Sequence, residues 1–223
     1  MQADKRKNSD YFVTMTQSLR RAEGGGQTGR AGGGLEALVA RAAQSGKGPP
    51  PVEQWNPPFC GDIDMEIRAD GTWFYQGTPI GRPALVRLFA SVLRKDEDGK
   101  TYLVTPVEKL GIRVEDAPFL AVEVDISGRG DDQIITFRTN VGDVVQAGPD
   151  HPMRFAEEPG SGGLKPYVLV RGRLEALAAR PLLYELVEAG EEIVIDGKRL
   201  FALRSRGCVF PIMPADRLRE LSA

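Results

Sequence analysis

Residues 61–75, GDIDMEIRADGTWFY, decide how the chain is read. Ile63, Met65 and Ile67 alternate with Asp62, Asp64 and Glu66, the period of two expected of a strand with one buried face. Asp70-Gly71 is a strong hairpin signal, and Thr72-Trp73-Phe74-Tyr75 supplies the returning strand. The same logic recurs downstream. From Phe119 to Ile126, Val122, Val124 and Ile126 share one face and Ala121, Glu123 and Asp125 the other. Gly128-Arg129-Gly130-Asp131 turns the chain, Ile134 to Thr139 returns, and Asn140-Val141-Gly142 turns it again before Val144-Val145. Meanders of this kind argue for antiparallel pairing. They also place Glu123 or Asp125 opposite Arg138 as a cross-strand ion pair.

Helical periodicity lies between and after the meanders. Pro83 suits a first helical turn. Leu85, Leu88, Phe89, Val92 and Leu93 then form one stripe while Arg87, Ser91, Arg94 and Lys95 face away, predicting a helix packed on a sheet. Asp98-Gly99 turns the chain into a strand at Tyr102-Leu103-Val104, which Pro106 interrupts. Further on, Tyr167 to Val170 reads as a strand, and Leu174, Leu177 and Ala178 as a helical turn or two. Arg180-Pro181 restarts the helix, which Leu182, Leu183, Leu186 and Val187 carry to a C-cap at Gly190. Ile193-Val194-Ile195, Asp196-Gly197 and Leu200-Phe201 make a hairpin. A shift of 98 residues lays Arg82-Pro83 on Arg180-Pro181 and Asp98-Gly99-Lys100 on Asp196-Gly197-Lys198, with seven identities over positions 82–106. That pseudo-repeat predicts two similar halves and a cleft between them. The expected class is α+β with duplicated antiparallel sheet-plus-helix motifs: a first repeat over 61–117, a second over 118–212, and a tail from 213 to 223.

Residues 1–34 carry six basic and three acidic side chains and two glycine triplets, a composition that predicts a disordered basic tail. Residues 35–60 follow as a helix, with Leu35, Leu38, Val39 and Ala42 at helical spacing, and then a proline-rich arm with Trp55 and Phe59 as apolar anchors.

Composition sets exclusions. The 223 residues are 41% hydrophobic and 27% charged, with a formal net charge of −2, an ordinary globular profile. No run reaches the ~18 apolar residues of a membrane-spanning helix, and no secretory signal is evident, so a cytoplasmic setting is expected. Once the basic tail is set aside the body is acidic, which argues against nucleic acid as a partner. Two cysteines, Cys60 and Cys208, are too few for a disulfide scaffold or a thiolate zinc site. The single histidine, His151, leaves a Cys–His nucleophile with little support. Gly160-Ser161-Gly162-Gly163-Leu164-Lys165 lacks phosphate-loop spacing and reads as a surface loop.

What remains is a pattern of charge. Glu115 and Asp116 stand side by side where the halves should meet, while Arg154, Arg171, Arg173 and Arg180 gather in the second half. Arginine is suited to forked recognition of phosphate or carboxylate. Acids from one half facing arginines from the other would make either an ion-paired interface or a ligand site.

Five segments carry a family likeness: PPVEQWNPPFCGDIDM (50–65), DGTWFYQGTPIGRPALVRLFASVL (70–93), YLVTPVEKLGIRVEDAPF (102–119), ITFRTNVGDVV (135–145) and KPYVLVRGRLEALAARPLLYELVE (165–188). In order, from about residue 35 to 211, they resemble a bacterial family of uncharacterised proteins, domain of unknown function number twelve eighty-five. The resemblance implies an α+β core built by domain duplication, a second domain loosely similar to pleckstrin-homology folds, and a nucleotide-like ligand between the domains in a signalling role. No catalytic activity is established for that family, so no catalytic residues are carried over; no metal and no resident cofactor are expected. Positions matching its motifs that would line the interface are Trp73, Arg82, Thr105, Glu108, Glu115, Asp116, Thr139, Asn140, His151, Arg154, Tyr167, Arg171, Glu175 and Arg180.

The resulting expectation is a protein that binds a small anionic or nucleotide-like ligand at an inter-domain cleft. Arg154, Arg171 and Arg180 would pair with phosphate, Tyr167 or Trp73 would offer a flat face to a base, and Glu115 and Asp116 would orient the arginines or the sugar. Two rivals stand beside it: a protein–protein adaptor using a sheet edge or the proline arm, whose partner is unidentified, and an enzyme with a metal held by Glu115 and Asp116.

Overall fold

The structure, a computed structural model, describes residues 50–217. The expected disordered tail over 1–34, the expected helix after Leu35 and the last six residues of the C-terminal tail lie outside the described residues.

A 3-10 turn at Val52–Gln54 leads into β1 (Phe59–Ile67), β2 (Trp73–Tyr75), β3 (Thr78–Pro79), α1 (Pro83–Ser91), β4 (Leu93–Lys95), β5 (Thr101–Val104) and β6 (Lys109–Val114). The chain continues through β7 (Phe119–Ser127), β8 (Ile134–Thr139), β9 (Val144–Gln146), β10 (Met153–Glu157), β11 (Leu164–Arg171) and β12 (Leu174–Ala178). It ends in α2 (Arg180–Glu188), β13 (Glu191–Ile195), β14 (Lys198–Ser205) and β15 (Cys208–Pro214). The molecule is mostly β with few helices.

The first six strands form one sheet in the order β3-β2-β1-β6-β5-β4, and the next six a sheet in the order β10-β11-β12-β7-β8-β9. Read from its other edge, the second sheet repeats the topology of the first strand for strand. This is the duplication, but it is not in the register that the 98-residue shift suggests. The fold pairs β4 with β10, whereas the shift lays α1-β4-β5 on α2-β13-β14. The shared letters report helix initiation by Arg-Pro and tight Asp-Gly turns, chemistry that recurs wherever such elements do. A second correction concerns strand direction. Each sheet joins its two antiparallel three-stranded units through one parallel pair, β1 with β6 and β12 with β7. The exclusively antiparallel expectation came from turns between neighbouring strands, which carry no information about how the first strand meets the last.

Local differences have physical causes. α1 stops at Ser91 because Leu93, Arg94 and Lys95 pair with Leu103, Tyr102 and Thr101. Arg94, only 8% exposed, donates to the carbonyls of Val52 (2.8 Å) and Trp55 (2.6 Å) and to Asp96 (2.6 Å). The arm before β1 is therefore held by its carbonyls and by buried Val52, while Phe59 stays 54% exposed. Leu174–Ala178 is a strand, with Leu174, Ala176 and Ala178 buried on one side; helix-forming side chains conceal that alternation from a propensity reading. In β7 a bulge between Ala121 and Glu123 switches the faces, leaving Val122 exposed and setting Glu123 against Arg138 in the expected ion pair.

The first sheet closes over Trp73, Phe89, Met65, Ile67, Leu93 and Leu103, the second over Phe119, Ile135, Phe137, Leu174 and Leu186, all nearly inaccessible to solvent. Each such side chain contributes about 1.5–3 kcal/mol by burial. The three-stranded sheet β13-β14-β15 is tied to the second sheet by Ser205, whose hydroxyl donates to the Ala147 carbonyl (2.7 Å) and accepts from the Ile135 amide (3.0 Å). Its hairpins turn at Asp196-Gly197 and Arg206-Gly207, each with positive φ at both residues, as two-residue turns matched to strand twist require.

Candidate functional site

The β4–β5 hairpin is rigidly turned. The Asp98 carboxylate accepts from the Lys100 amide (2.9 Å) and from the Tyr102 hydroxyl (2.6 Å), while the Gly99 amide donates to the Asp96 carbonyl (3.1 Å). The hydrogen bond to Asp98 pushes the Tyr102 phenol up to about 12. Asp96 below it is partly buried, which favours its neutral form. Hydrogen bonds from Arg94 and Lys109 overcome that and hold its carboxyl below the ordinary range.

Lys95 and Lys100 project from this hairpin beside a crevice of about 480 Å³. β1 and β6 form its floor, where the parallel ladder is irregular: Phe59 faces Lys109, Asp62 faces Gly111 and Glu66 faces Arg113. The Asp62 carboxylate lies directly over Gly111, where any side chain at that position would overlap it. Ile63, Ile112, Val114 and Pro118 supply apolar lining; Lys95, Lys100 and Arg113 supply positive charge, and Asp62 and Asp116 negative charge. These charges differ in their commitments. Arg113 forks onto Glu66 at 2.9 Å through two nitrogens. Asp116 accepts from the Lys165 ammonium and the Tyr167 hydroxyl, each at 2.7 Å. The ammonium groups of Lys95 and Lys100 make no hydrogen bond or ion pair among the described residues.

Two further clefts flank the hairpin. One of about 590 Å³ lies between the halves, with Lys95, Asp96, Glu97 and Gly99 facing Leu169, Gly172, Arg173 and Glu175. Another of about 460 Å³ runs along Glu53, Trp55, Asp96, Glu97 and Asp98. Acids outnumber bases in both. Only the crevice beside Lys100 has a cationic balance among these three.

The residues singled out in the sequence fall into three groups. Asp116, Arg154, Tyr167 and Glu175 are brought together. Arg154 lies across the strand pair from Tyr167, its guanidinium 3.9 Å from the ring centroid, and forks onto Glu175 at 2.7 and 2.6 Å. Burial works to raise the Asp116 carboxyl, yet its hydrogen bonds from Lys165 and Tyr167 leave it below the ordinary value. The Tyr167 phenol is pushed well up, first by burial and then by Asp116. The ring face expected to receive a base is covered by Arg154.

In a second group Arg171 and Asn140 tie the halves together, while Glu115 and Thr139 each bond within one half. Arg171 donates to Asp143 (2.6 Å) and to the Ala90 carbonyl at the end of α1 (2.7 Å), with its guanidinium 4.8 Å from the Phe119 ring centroid. Asn140 accepts from the Leu120 amide (3.1 Å) and donates to the Gly71 carbonyl (3.4 Å). Glu115 accepts from the Ala69 amide (2.9 Å), away from the partners of Asp116. Thr139 accepts from the Asp143 amide (3.0 Å).

The third group stands apart. Trp73, 1% exposed, stacks on Phe89 with centroids 6.4 Å apart and presents no face to solvent. Thr105 caps the β5–β6 turn that holds buried Glu108. His151 pairs through Nδ1 with the Leu169 carbonyl (3.0 Å). Arg82 and Arg180 are exposed at the starts of α1 and α2 and line none of the three clefts. Sequence reasoning missed Lys95, Lys100, Arg113 and Lys165. The helical stripe places Lys95 on the outer face of a helix, whereas its position before a tight Asp-Gly turn is the signal that marks it. Among the described residues no group of three or more His, Cys, Asp or Glu is placed to hold a metal ion, and no helix is long and apolar enough to cross a membrane.

The family model for the N-terminal domain of DUF1285, a domain of unknown function, matches residues 50–117, and that for the C-terminal domain matches residues 118–212. The chain belongs to the DUF1285 family. A crystal structure of a DUF1285 family protein from Silicibacter pomeroyi DSS-3 is 54% identical, covers 82% of this chain and 97% of its own, and superimposes with a TM-score of 0.75. A second, from Shewanella baltica OS155, is 26% identical over 57% of this chain and 92% of its own, with a TM-score of 0.45. No curated protein matches the chain.

Proposed function

We propose that this DUF1285 protein is a binding module for a small anionic ligand, nucleotide-like in bearing a phosphate or comparable group, received in the crevice beside the β4–β5 hairpin. One observation carries the reading: Lys95 and Lys100 flank a fixed turn over a crevice of about 480 Å³ with no protein partner for either ammonium among the described residues. Lysine binds phosphate as a point charge, so two lysines lining one crevice suit a group carrying one or two negative charges. The arginines that the sequence suggests for phosphate are engaged: Arg154 with Glu175 and Arg171 with Asp143 and Ala90. Their role in this reading is to hold the second half and the Asp116 linker in place. A signalling role, a cytoplasmic setting and a likeness of the second half to pleckstrin-homology folds belong to the same proposal, the last supported by six strands followed by an amphipathic helix.

Thermal denaturation in the presence of inorganic phosphate, pyrophosphate, AMP and GTP tests the reading. A ligand at a hundredfold excess over its Kd stabilises the native state by about 2.7 kcal/mol. At least one of these anions should raise the melting temperature of the wild type, and Lys95→Gln combined with Lys100→Gln should abolish the rise. A response that survives both substitutions, or no response to any anion at millimolar concentration, contradicts it.

The adaptor reading has one observation in its favour. Tyr184 on α2 and Val194 on β13 are 69% and 68% exposed, and among the described strands β13 pairs with β14 alone. It requires a protein partner whose binding is lost in Tyr184→Ala with Val194→Ser.

A further inference from the structure

We infer that the crevice recognises the body of its ligand by aliphatic contact, so that the occupant is an acid with a short hydrocarbon body rather than a stacked base. This rests on the proposed anion site and names its ligand class. The apolar lining comes from Ile63 on β1, Ile112 and Val114 on β6, and Pro118 in the linker, with the three β-branched residues only half-buried. Among the described residues no aromatic side chain lines the crevice. Trp73 is stacked on Phe89 inside the core, Tyr167 is covered by the Arg154 guanidinium, and Phe59 beside Gly111 is engaged edge-to-face with Tyr102.

The energetics separate the two ligand classes. A base gains affinity by stacking on an aromatic face, and the described lining of the crevice offers none. A nucleobase entering an aliphatic pocket also brings polar edges that must find partners or lose them. A hydrocarbon body has no such edges and gains about 0.8 kcal/mol for each methylene removed from water, close to a fourfold gain in affinity. The volume of about 480 Å³ lies within the range of about 300–1,000 Å³ typical of small-molecule sites. Lys95 and Lys100 hold the acid at the rim, and Ile63, Ile112 and Val114 meet the chain. A carboxylate and a phosphate monoester share this chemistry, and the measurement below distinguishes them.

The test is isothermal titration of the full chain with inorganic phosphate, methyl, butyl and hexyl phosphate, the matching alkanoates, and AMP. Affinity should climb about fourfold per methylene along each series before levelling off. AMP should bind no tighter than methyl phosphate, and the series with the tighter shortest member identifies the head group. Ile112→Asn should flatten the climb along both series. Val114→Thr, nearly isosteric, should do so in part and covers the case in which the first variant does not fold. Lys95→Gln with Lys100→Gln should weaken every member by a similar factor. If AMP exceeds hexyl phosphate tenfold, the aliphatic inference is overturned and the anion site stands. If inorganic phosphate and all the organic acids fail to bind, the anion site itself falls. A climb that persists undiminished in Ile112→Asn and Val114→Thr places the hydrocarbon elsewhere and also overturns the inference.

Discussion

Replacing Arg171 with alanine separates a clamp from a ligand contact. The guanidinium reaches from the end of β11 to Asp143 at 2.6 Å and to the Ala90 carbonyl at 2.7 Å, joining the second sheet to the C-terminal end of the helix carried by the first. A cation at that end also complements the helix dipole. Hydrogen bonds to a charged group contribute about 1.5–3 kcal/mol each. The Arg171 side chain is 30% exposed and Asp143 35%, so solvent screening reduces the pair toward the lower figure, and a total loss of about 2–4 kcal/mol is expected. At about 2–4 °C per kcal/mol for a folded body of this size, the melting temperature should fall by about 4–16 °C. Arg171→Lys keeps the charge but cannot fork, and should recover about half of the loss. Urea unfolding followed by tryptophan fluorescence gives the free energy; the same variants with and without pyrophosphate give the ligand response. A clamp predicts lowered stability with the pyrophosphate shift retained. Unchanged stability, within about 0.5 kcal/mol, together with a lost shift would refute the clamp and return Arg171 to the ligand.

Other expectations follow from packing and charge. Gly190 lies against the buried ring of Phe201, so Gly190→Ala should cost about 1–3 kcal/mol by overpacking, and Phe201→Leu should relieve it in the double mutant. Trp73→Ala should cost about 3–5 kcal/mol and leave little folded protein, whereas exposed Tyr184→Ala should change stability by less than about 0.5 kcal/mol. Asp116 has its carboxyl lowered in the folded state, so its contribution is complete above the unfolded carboxylate value of about 4 and is lost as pH falls through the folded value. Urea midpoints measured from pH 7 to pH 2 should therefore drop at the acid end, and Asp116→Asn should be weaker at pH 7 with a flatter acid limb.

The sequence announced much of the architecture through turns and alternation. The Asp70-Gly71 hairpin, the strand from Ile134 to Thr139 and the helix restarting at Arg180-Pro181 all stand where short-range chemistry put them. What it hid was decided at long range. β4 holds only three residues, and its pairing with β5 outweighs a helical stripe that would otherwise continue through Lys95. The parallel joins β1–β6 and β7–β12 link strands far apart in the chain, and no local signal marks them. The site followed the same division. Asp116, Arg154, Tyr167 and Glu175 converge as a charged cluster should, yet they satisfy one another. Partnership of this kind depends on register, which composition does not carry, so the arginines stand out in the sequence while Lys95 and Lys100, without an ion pair among the described residues, do not.

The decisive measurement is a backbone and lysine side-chain NMR titration of the full chain with inorganic pyrophosphate. The account predicts shifts concentrated at Lys95, Lys100 and Thr101 on the hairpin and at Gly111 to Asp116 across the crevice. Shifts centred instead on Arg180, Arg82 or the guanidinium of Arg154, with the hairpin silent, would contradict it.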